Sequence, residues 1–173
     1  MKDNVILTGF MGTGKTSLGK LLAQRLGRPF VDIDKKIEDD TQLSIPQIFE
    51  RFGEEHFRAL EKSAVLELSE RRGLVIATGG GTIKDEENLQ RLKSSGVLIC
   101  LTTEPEEIFN RTARHGERPV LDGGGDERLE TIKKLLAERK KFYDRADYQV
   151  DTTEWSPIQI IDDICKYLRH FRS

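Results

Sequence analysis

The 173-residue sequence predicts an α/β fold, a parallel β-sheet flanked by helices, and two observations carry that expectation. Short apolar runs alternate along the chain with longer amphipathic stretches, the pattern of strands joined by helical crossovers. The first run, Val5-Ile6-Leu7, passes directly into a segment from Gly9 to Thr16 that reads GFMGTGKT, of the form G-x-x-x-x-G-K-[ST]. In such a segment a strand delivers a loop whose glycines let backbone N–H groups curl around an anion, and a helix begins at its far end.

Strands are expected at Val5–Thr8, Pro29–Asp32, Leu74–Ala77, Val97–Leu101 and Tyr148–Asp151. Beyond the glycine-rich loop, Leu18, Leu21, Leu22 and Leu26 recur at helical spacing. Residues 33–62, between the second and third strands, read as a charged helical insertion. Ser44-x-x-Gln47, Thr103-x-x-Glu106 and Ser156-x-x-Gln159 have the form of capping boxes, each with a proline in the first turn, and mark three helix starts. Residues 112–126, TARHGERPVLDGGGD, carry no apolar period and read as a mobile loop long enough to act as a lid. A long helix is expected over Glu127–Ala146. The last helix should set Ile160, Ile161, Ile164, Leu168 and Phe171 against the sheet. No repeat or linker divides the chain, whose length suits one domain, 1–173.

Composition narrows the function classes. A formal net charge of -2 argues against a general nucleic-acid binder, while leaving room for a local arginine cluster that takes a small anion. The apolar run behind Met1-Lys2-Asp3-Asn4 is too short for a signal-peptide core, and the longest apolar stretch, Val97–Leu101, cannot span a bilayer. The expectation is a soluble, cytoplasmic protein without a membrane partner. Cys100 and Cys165 read as buried free thiols, and the scattered His56, His115 and His170 do not suggest a His/Cys metal site.

Three places could carry chemistry. In the loop, Lys15 can reach the β- and γ-phosphates of a nucleoside triphosphate and the Thr16 hydroxyl can ligate Mg²⁺. Asp32-Ile33-Asp34 ends the second strand at the carboxyl edge of the sheet, where open α/β folds bind ligands. Alternation in an extended chain would put both carboxylates on one side, one near a metal shell and one toward an acceptor hydroxyl; a helix cap is the alternative reading. Thr78-Gly79-Gly80-Gly81 follows the third strand at the same edge and exposes backbone N–H groups. Arginines that clamp an acidic substrate bidentately would complete such a site. Spacing alone does not single out Arg58, Arg118 and Arg139 among the other arginines.

The segments GFMGTGKTSLG, DID, FRALE, TGGG, RPVL and the R-x-x-x-Y of Arg139 to Tyr143 follow one another in the order seen in shikimate kinases. The chain resembles that family from end to end. The resemblance implies a P-loop kinase fold of the nucleoside-monophosphate-kinase type, with five parallel strands in the order 2-3-1-4-5. It implies transfer of the ATP γ-phosphoryl group to the 3-hydroxyl of shikimate, on the route to chorismate and the aromatic amino acids, by a monomer using one Mg²⁺ ion. It places Gly12, Thr13, Gly14, Lys15, Thr16 and Ser17 on ATP, with Thr16 on the metal and Asp32 in its outer shell through water. Asp34 would hold and orient, or deprotonate, the acceptor hydroxyl. Arg58, Arg139 and the backbone of Gly79, Gly80 and Gly81 would bind shikimate, and Arg118 would reach the transferring phosphoryl group from the lid. Arg111 and Pro157 would sandwich adenine. Lys141 stands where many members have proline, Asp144-Arg145-Ala146 departs from their usual continuation after the tyrosine, and DGGGD ends the lid; none of these removes a residue with a chemical role. A kinase for another hydroxylated acid, such as gluconate, and a nucleotide-binding switch without turnover are the competing readings.

Overall fold

The structure is a computed structural model that describes residues 3–114 and 125–171. Near-continuous apolar runs suit strands covered by helices on both faces. The runs expected to be strands form β1 (Asn4–Gly9), β2 (Phe30–Asp32), β3 (Val75–Ala77), β4 (Gly96–Thr102) and β5 (Tyr148–Asp151). All pair in parallel in the order β2-β3-β1-β4-β5. Between them run α1 (Lys15–Leu26), α2 (Ile33–Thr41), α3 (Ile45–Ser69), α4 (Glu86–Ser95), α5 (Pro105–Arg114), α6 (Gly125–Tyr143) and, after β5, α7 (Pro157–Phe171).

Strand alternation divides the core in two. Ile6, Ile76, Leu98 and Cys100 join Val65 and Leu68 of α3 and Leu89 and Leu92 of α4 in one cluster. Val5, Leu7, Val97 and Ile99 join Leu18 and Leu22 of α1 and Ile161 and Ile164 of α7 in the other. The register that aligns Ile6 with both Ile76 and Leu98, and Leu7 with Ile99, keeps each row on its own face. The result is three layers, α/β/α. Chain order reverses around β1, with β3 on one side and β4 on the other, which opens a crevice at the carboxyl ends of the strands.

Two capping boxes form: Ser44 Oγ accepts from Gln47 N at 3.2 Å while Gln47 Oε1 accepts from Ser44 N, and Ser156 with Gln159 repeats the arrangement. The third does not. The Thr103 hydroxyl pairs with that of Thr152 at 2.6 Å, and α5 begins at Pro105 behind Glu104. Residues 33–62 are helical, but Gly53 (φ 84°, ψ 171°) breaks α3 in two, a backbone state that only glycine enters cheaply. Helix reaches into both ends of the expected loop 112–126, since Thr112 to Arg114 close α5 and Gly125 opens α6. α6 stops at Tyr143 rather than Ala146, where i→i+3 bonds tighten the chain. Phe171 remains 42% exposed, and Cys165 takes the buried place expected of it on α7. Both cysteines are buried and free. Among the described residues, no helix is long and apolar enough to cross a membrane.

Candidate active site

The turn leaving β1 bends through Gly12 (φ 80°) and Gly14 (φ 92°), left-handed positions where a side chain would be strained. Gly14 caps α1 without a side-chain acceptor, so the first N–H groups of that helix face the crevice unspent. Lys15 Nζ donates to the carbonyls of Gly9 at 2.6 Å and Phe10 at 3.0 Å, inside the loop. Loss of water around this ammonium lowers its pKa to about 8, against the opposing pull of Asp34 and Asp32. Thr16 Oγ1 donates to Asp32 Oδ2 at 2.7 Å. The other oxygen of Asp32 accepts from Lys35 N and caps α2, so the cap and the partnership with Thr16 coexist in one carboxylate.

Strand alternation is not what brings Asp34 beside Asp32. The chain is helical from Ile33, and Asp34 lies in the first turn of α2. Burial, then the charges of Asp32 and Glu61, raise its pKa to about 6 against Lys15. It lies on the Gly79–Gly81 turn, and the reason for three consecutive glycines is geometric. A Cβ on Gly79 would stand 3.0 Å from Asp34 Oδ1, one on Gly80 3.2 Å from Arg139 Nη1, and one on Gly81 3.1 Å from Arg58 Nη2. Missing side chains at three successive positions thus admit a carboxylate and two guanidinium groups to the same stretch of backbone.

Arg58 is fixed by Glu61, one helical turn on, whose Oε1 accepts from Nη1 at 2.9 Å. Glu61 is 1% exposed, and its second oxygen accepts from Thr82 Oγ1 at 2.9 Å. Arg139 lies over the Phe10 ring, 5.0 Å from its centroid. Its Nη1 is buried with no hydrogen-bond partner among the described residues. A buried cationic donor left unpaired costs free energy, and an anion brought into the crevice removes that cost. Tyr143, one turn along α6, donates to Gly80 O at 3.0 Å and holds the glycine turn against the helix.

One cavity of about 870 Å³ joins the glycine loop to the acidic and arginine groups beside it. Gly12, Thr13, Gly14, Lys15, Thr16 and Ser17 line it, as do Asp32, Asp34, Arg58, Gly79, Gly80, Gly81, Arg111, Arg139 and Pro157. Arg118 lies outside the described residues. Among those residues no group of three or more His, Cys, Asp or Glu side chains is placed to hold a metal ion. Sequence reasoning gave no role to Glu61, Thr82 or Phe10. The i,i+3 spacing of Arg58 and Glu61 was a usable signal; nothing local marks Thr82 or Phe10, which meet their partners only through the fold.

A phosphate loop at the carboxyl edge of a 2-3-1-4-5 sheet, with an arginine-lined pocket opening beside it, defines a P-loop kinase. A sequence model of the family described as shikimate kinase matches residues 11–169. The shikimate kinase of Thermodesulfovibrio yellowstonii is 43% identical over 94% of this chain and 93% of its own length. That of Pelotomaculum thermopropionicum is 45% identical over 96% and 95%. Among solved structures, shikimate kinase from Acinetobacter baumannii in complex with shikimate superposes with a TM-score of 0.90 at 37% identity, covering 97% of this chain and 93% of that one. The Aquifex aeolicus shikimate kinase gives 0.82 at 37%, covering 98% of each. The chain belongs to the shikimate kinase family.

Proposed function

We propose that the chain transfers the γ-phosphoryl group of ATP to the 3-hydroxyl of shikimate, giving shikimate 3-phosphate and ADP. The observation that carries this reading is the convergence of Asp34, Arg139 and Arg58 on the backbone of Gly79, Gly80 and Gly81, in the cavity that also holds the phosphate loop. Two guanidinium groups suit a carboxylate, and a carboxylate a few ångströms away suits the hydroxyls of the same small molecule. Family membership supplies the identity of that molecule, since the relatives carry the name shikimate kinase.

The roles follow from chemistry. The backbone of Gly12–Gly14, Lys15 and the start of α1 hold the phosphates of ATP, while Arg58 and Arg139 hold the acceptor by its carboxylate. Asp34 fixes the attacking hydroxyl and accepts its proton as the O–P bond forms. Its raised pKa of about 6 leaves it ionised at neutral pH yet basic enough to take part. Phosphoryl transfer passes through a loose transition state, so alignment and charge compensation supply most of the acceleration. Arg118, in the lid expected from the sequence, would add charge there, and closure of that lid would exclude water as a competing acceptor. Mg²⁺ fits the hard oxygen donors of Thr16 and Asp32, the latter through water, and would neutralise phosphate charge when bound with ATP. The enzyme acts as a monomer.

A coupled ADP-release assay tests the reading, with shikimate, gluconate and nucleoside monophosphates offered separately. Turnover with shikimate alone is expected. Turnover with gluconate or a nucleotide instead would reassign the acceptor, and none with any of them would leave a nucleotide-binding module.

A further inference from the structure

We propose that Phe10 is a positioning residue for the acceptor: its ring carries the Arg139 guanidinium and leaves the N–H donors of that group to the carboxylate of the bound acid. The inference rests on the reading above that Arg139 takes that carboxylate, and it adds the residue that holds Arg139.

The two arginines beside the glycine turn are held by different means. Arg58 is tied by carboxylates of its own helix: Nη1 donates to Glu61 at 2.9 Å, and Glu54 stands 3.6 Å from Nε. Those contacts take up part of the edge that a ligand would use. Arg139 instead lies over an aromatic ring, its Cζ 5.0 Å from the centroid of Phe10. It also meets the hydroxyl of Tyr143, one turn along α6. Its Nη1 is buried and has no hydrogen-bond partner among the described residues. A ring attracts a guanidinium through its π face, most strongly where water is excluded, and takes up no N–H group in doing so. Such a support fixes the cation while its edge stays available for a forked contact with a carboxylate.

Phe10 is placed to give that support by the phosphate loop itself. Its carbonyl accepts from Thr13 Oγ1 at 2.7 Å and from Lys15 Nζ at 3.0 Å, which pins the main chain where it leaves β1. Its ring is buried and shares a cluster with Ile37 of α2, Phe57 of α3, Ile108 of α5 and Ile132 of α6. A side chain packed at interior density keeps one position. Arg139 lines the cavity, and Phe10 stands behind it. One residue therefore serves both sides of the crevice, with its carbonyl in the phosphate loop and its ring under the acceptor clamp. The division makes the ring separable. A substitution at Phe10 removes the platform and leaves the carbonyl with its donors, so the nucleotide side should be spared.

Phe10→Leu and Phe10→Met remove the aromatic face while keeping apolar volume in the core, and Met serves alone if the Leu variant melts below the assay temperature. Phe10→Tyr keeps the face. In the full-length protein with Mg-ATP, loss of the ring should raise the KM for shikimate about 3- to 30-fold, the range for a desolvated cation–π contact. In the same variants kcat should stay within about threefold and the KM for ATP within about twofold of wild type. Phe10→Tyr should stay within about threefold in every parameter. The deciding comparison is a double-mutant cycle read as kcat/KM for shikimate. In the Arg139→Ala background, loss of the ring should change that ratio by less than about twofold, because the group it acts through is gone. A side chain that only fills the core would cost the same factor in both backgrounds, or would raise both KM values together, and either result would overturn the proposal. So would a wild-type KM for shikimate in a folded variant without the ring. If the wild-type protein turned over no shikimate, the acceptor reading and this inference would fall together. Wild-type turnover with any of the overturning results would remove the role of Phe10 alone.

Discussion

Arg139 offers a prediction in which binding falls sharply while stability barely moves when the guanidinium is removed. Its Nη1 is buried and has no hydrogen-bond partner among the described residues. Leaving such a donor unsatisfied costs about 1 to 3 kcal/mol. The stacking of the guanidinium on Phe10 returns about 0.5 to 2 kcal/mol. Arg139→Ala deletes both terms together with some packing of the aliphatic stem. Its stability should therefore stay within about 2 kcal/mol of wild type, a Tm change of at most several degrees in either direction for a chain of this size. Binding should behave quite differently. Two charge-assisted hydrogen bonds to a carboxylate contribute about 1.5 to 3 kcal/mol each, so their loss should raise the KM for shikimate by roughly 10² to 10⁴-fold. The KM for ATP should stay within about a factor of two. Initial rates over a shikimate series and a thermal melt of the same preparation measure both quantities. A large fall in Tm with equal damage to both KM values would show that Arg139 braces α6 and binds no substrate.

Other perturbations separate the remaining roles. Arg58→Lys should recover only part of what Arg58→Ala loses in shikimate KM, because one ammonium cannot reproduce the fork and cannot reach Glu61 in the same geometry; full recovery in steady-state kinetics would exclude bidentate binding. Asp34→Asn should lower kcat by at least ~10²-fold with ADP binding intact by calorimetry, and turnover at the wild-type rate would reduce Asp34 to a structural residue. The pKa of Asp34 is raised in the fold, so its contribution to stability is fully present below the ordinary carboxylate value of 3.8 and is lost as pH rises through about 6. Asp34→Asn should accordingly melt above wild type at pH 7 to 8 without ligands, with the gap closing toward pH 4; a gap independent of pH would contradict the charge argument. Arg118→Ala should depress kcat by roughly 10³ to 10⁵-fold with little change in either KM, the mark of a contact made in the transition state, whereas Arg111→Ala should act on the KM for ATP. Near-normal kcat in Arg118→Ala would remove it from the chemistry.

The sheet was legible because its code is local. Val5–Leu7, Leu74–Ala77 and Val97–Leu101 are short apolar runs bounded by polar or glycine-rich turns, and each forms a strand within a residue or two of its expected ends. The phosphate loop was legible for the same reason, since its glycines and Lys15 act through adjacent backbone. What the sequence hid lies in contacts between residues far apart in the chain. The Thr103 hydroxyl has a cap to make within three residues and instead meets Thr152, 49 residues away. Asp34 was placed by strand alternation, yet the cap at Asp32 starts a helix one residue earlier than that argument needs. Most telling is the choice among arginines. Arg58 and Arg139 differ from their neighbours only in facing Gly81 and Gly80, a fact of the folded crevice for which spacing has no signature.

The same crevice shows why a protein keeps groups that cost its fold free energy. The pKa of Lys15 is lowered, that of Asp34 is raised, and Arg139 has a buried donor without a partner among the described residues. Each is displaced in the direction that the proposed substrates would relieve: a triphosphate would favour the charged form of Lys15, an acceptor hydroxyl would donate to Asp34, and a carboxylate would fill the fork of Arg139. Glu61, itself held by Thr82, fixes Arg58 at the edge of the same crevice. A binding site assembled in this way has met its desolvation cost during folding, and little reorganisation remains when substrate arrives. Neutral replacements that make the empty protein more stable are therefore the ones that should do the most harm to its chemistry.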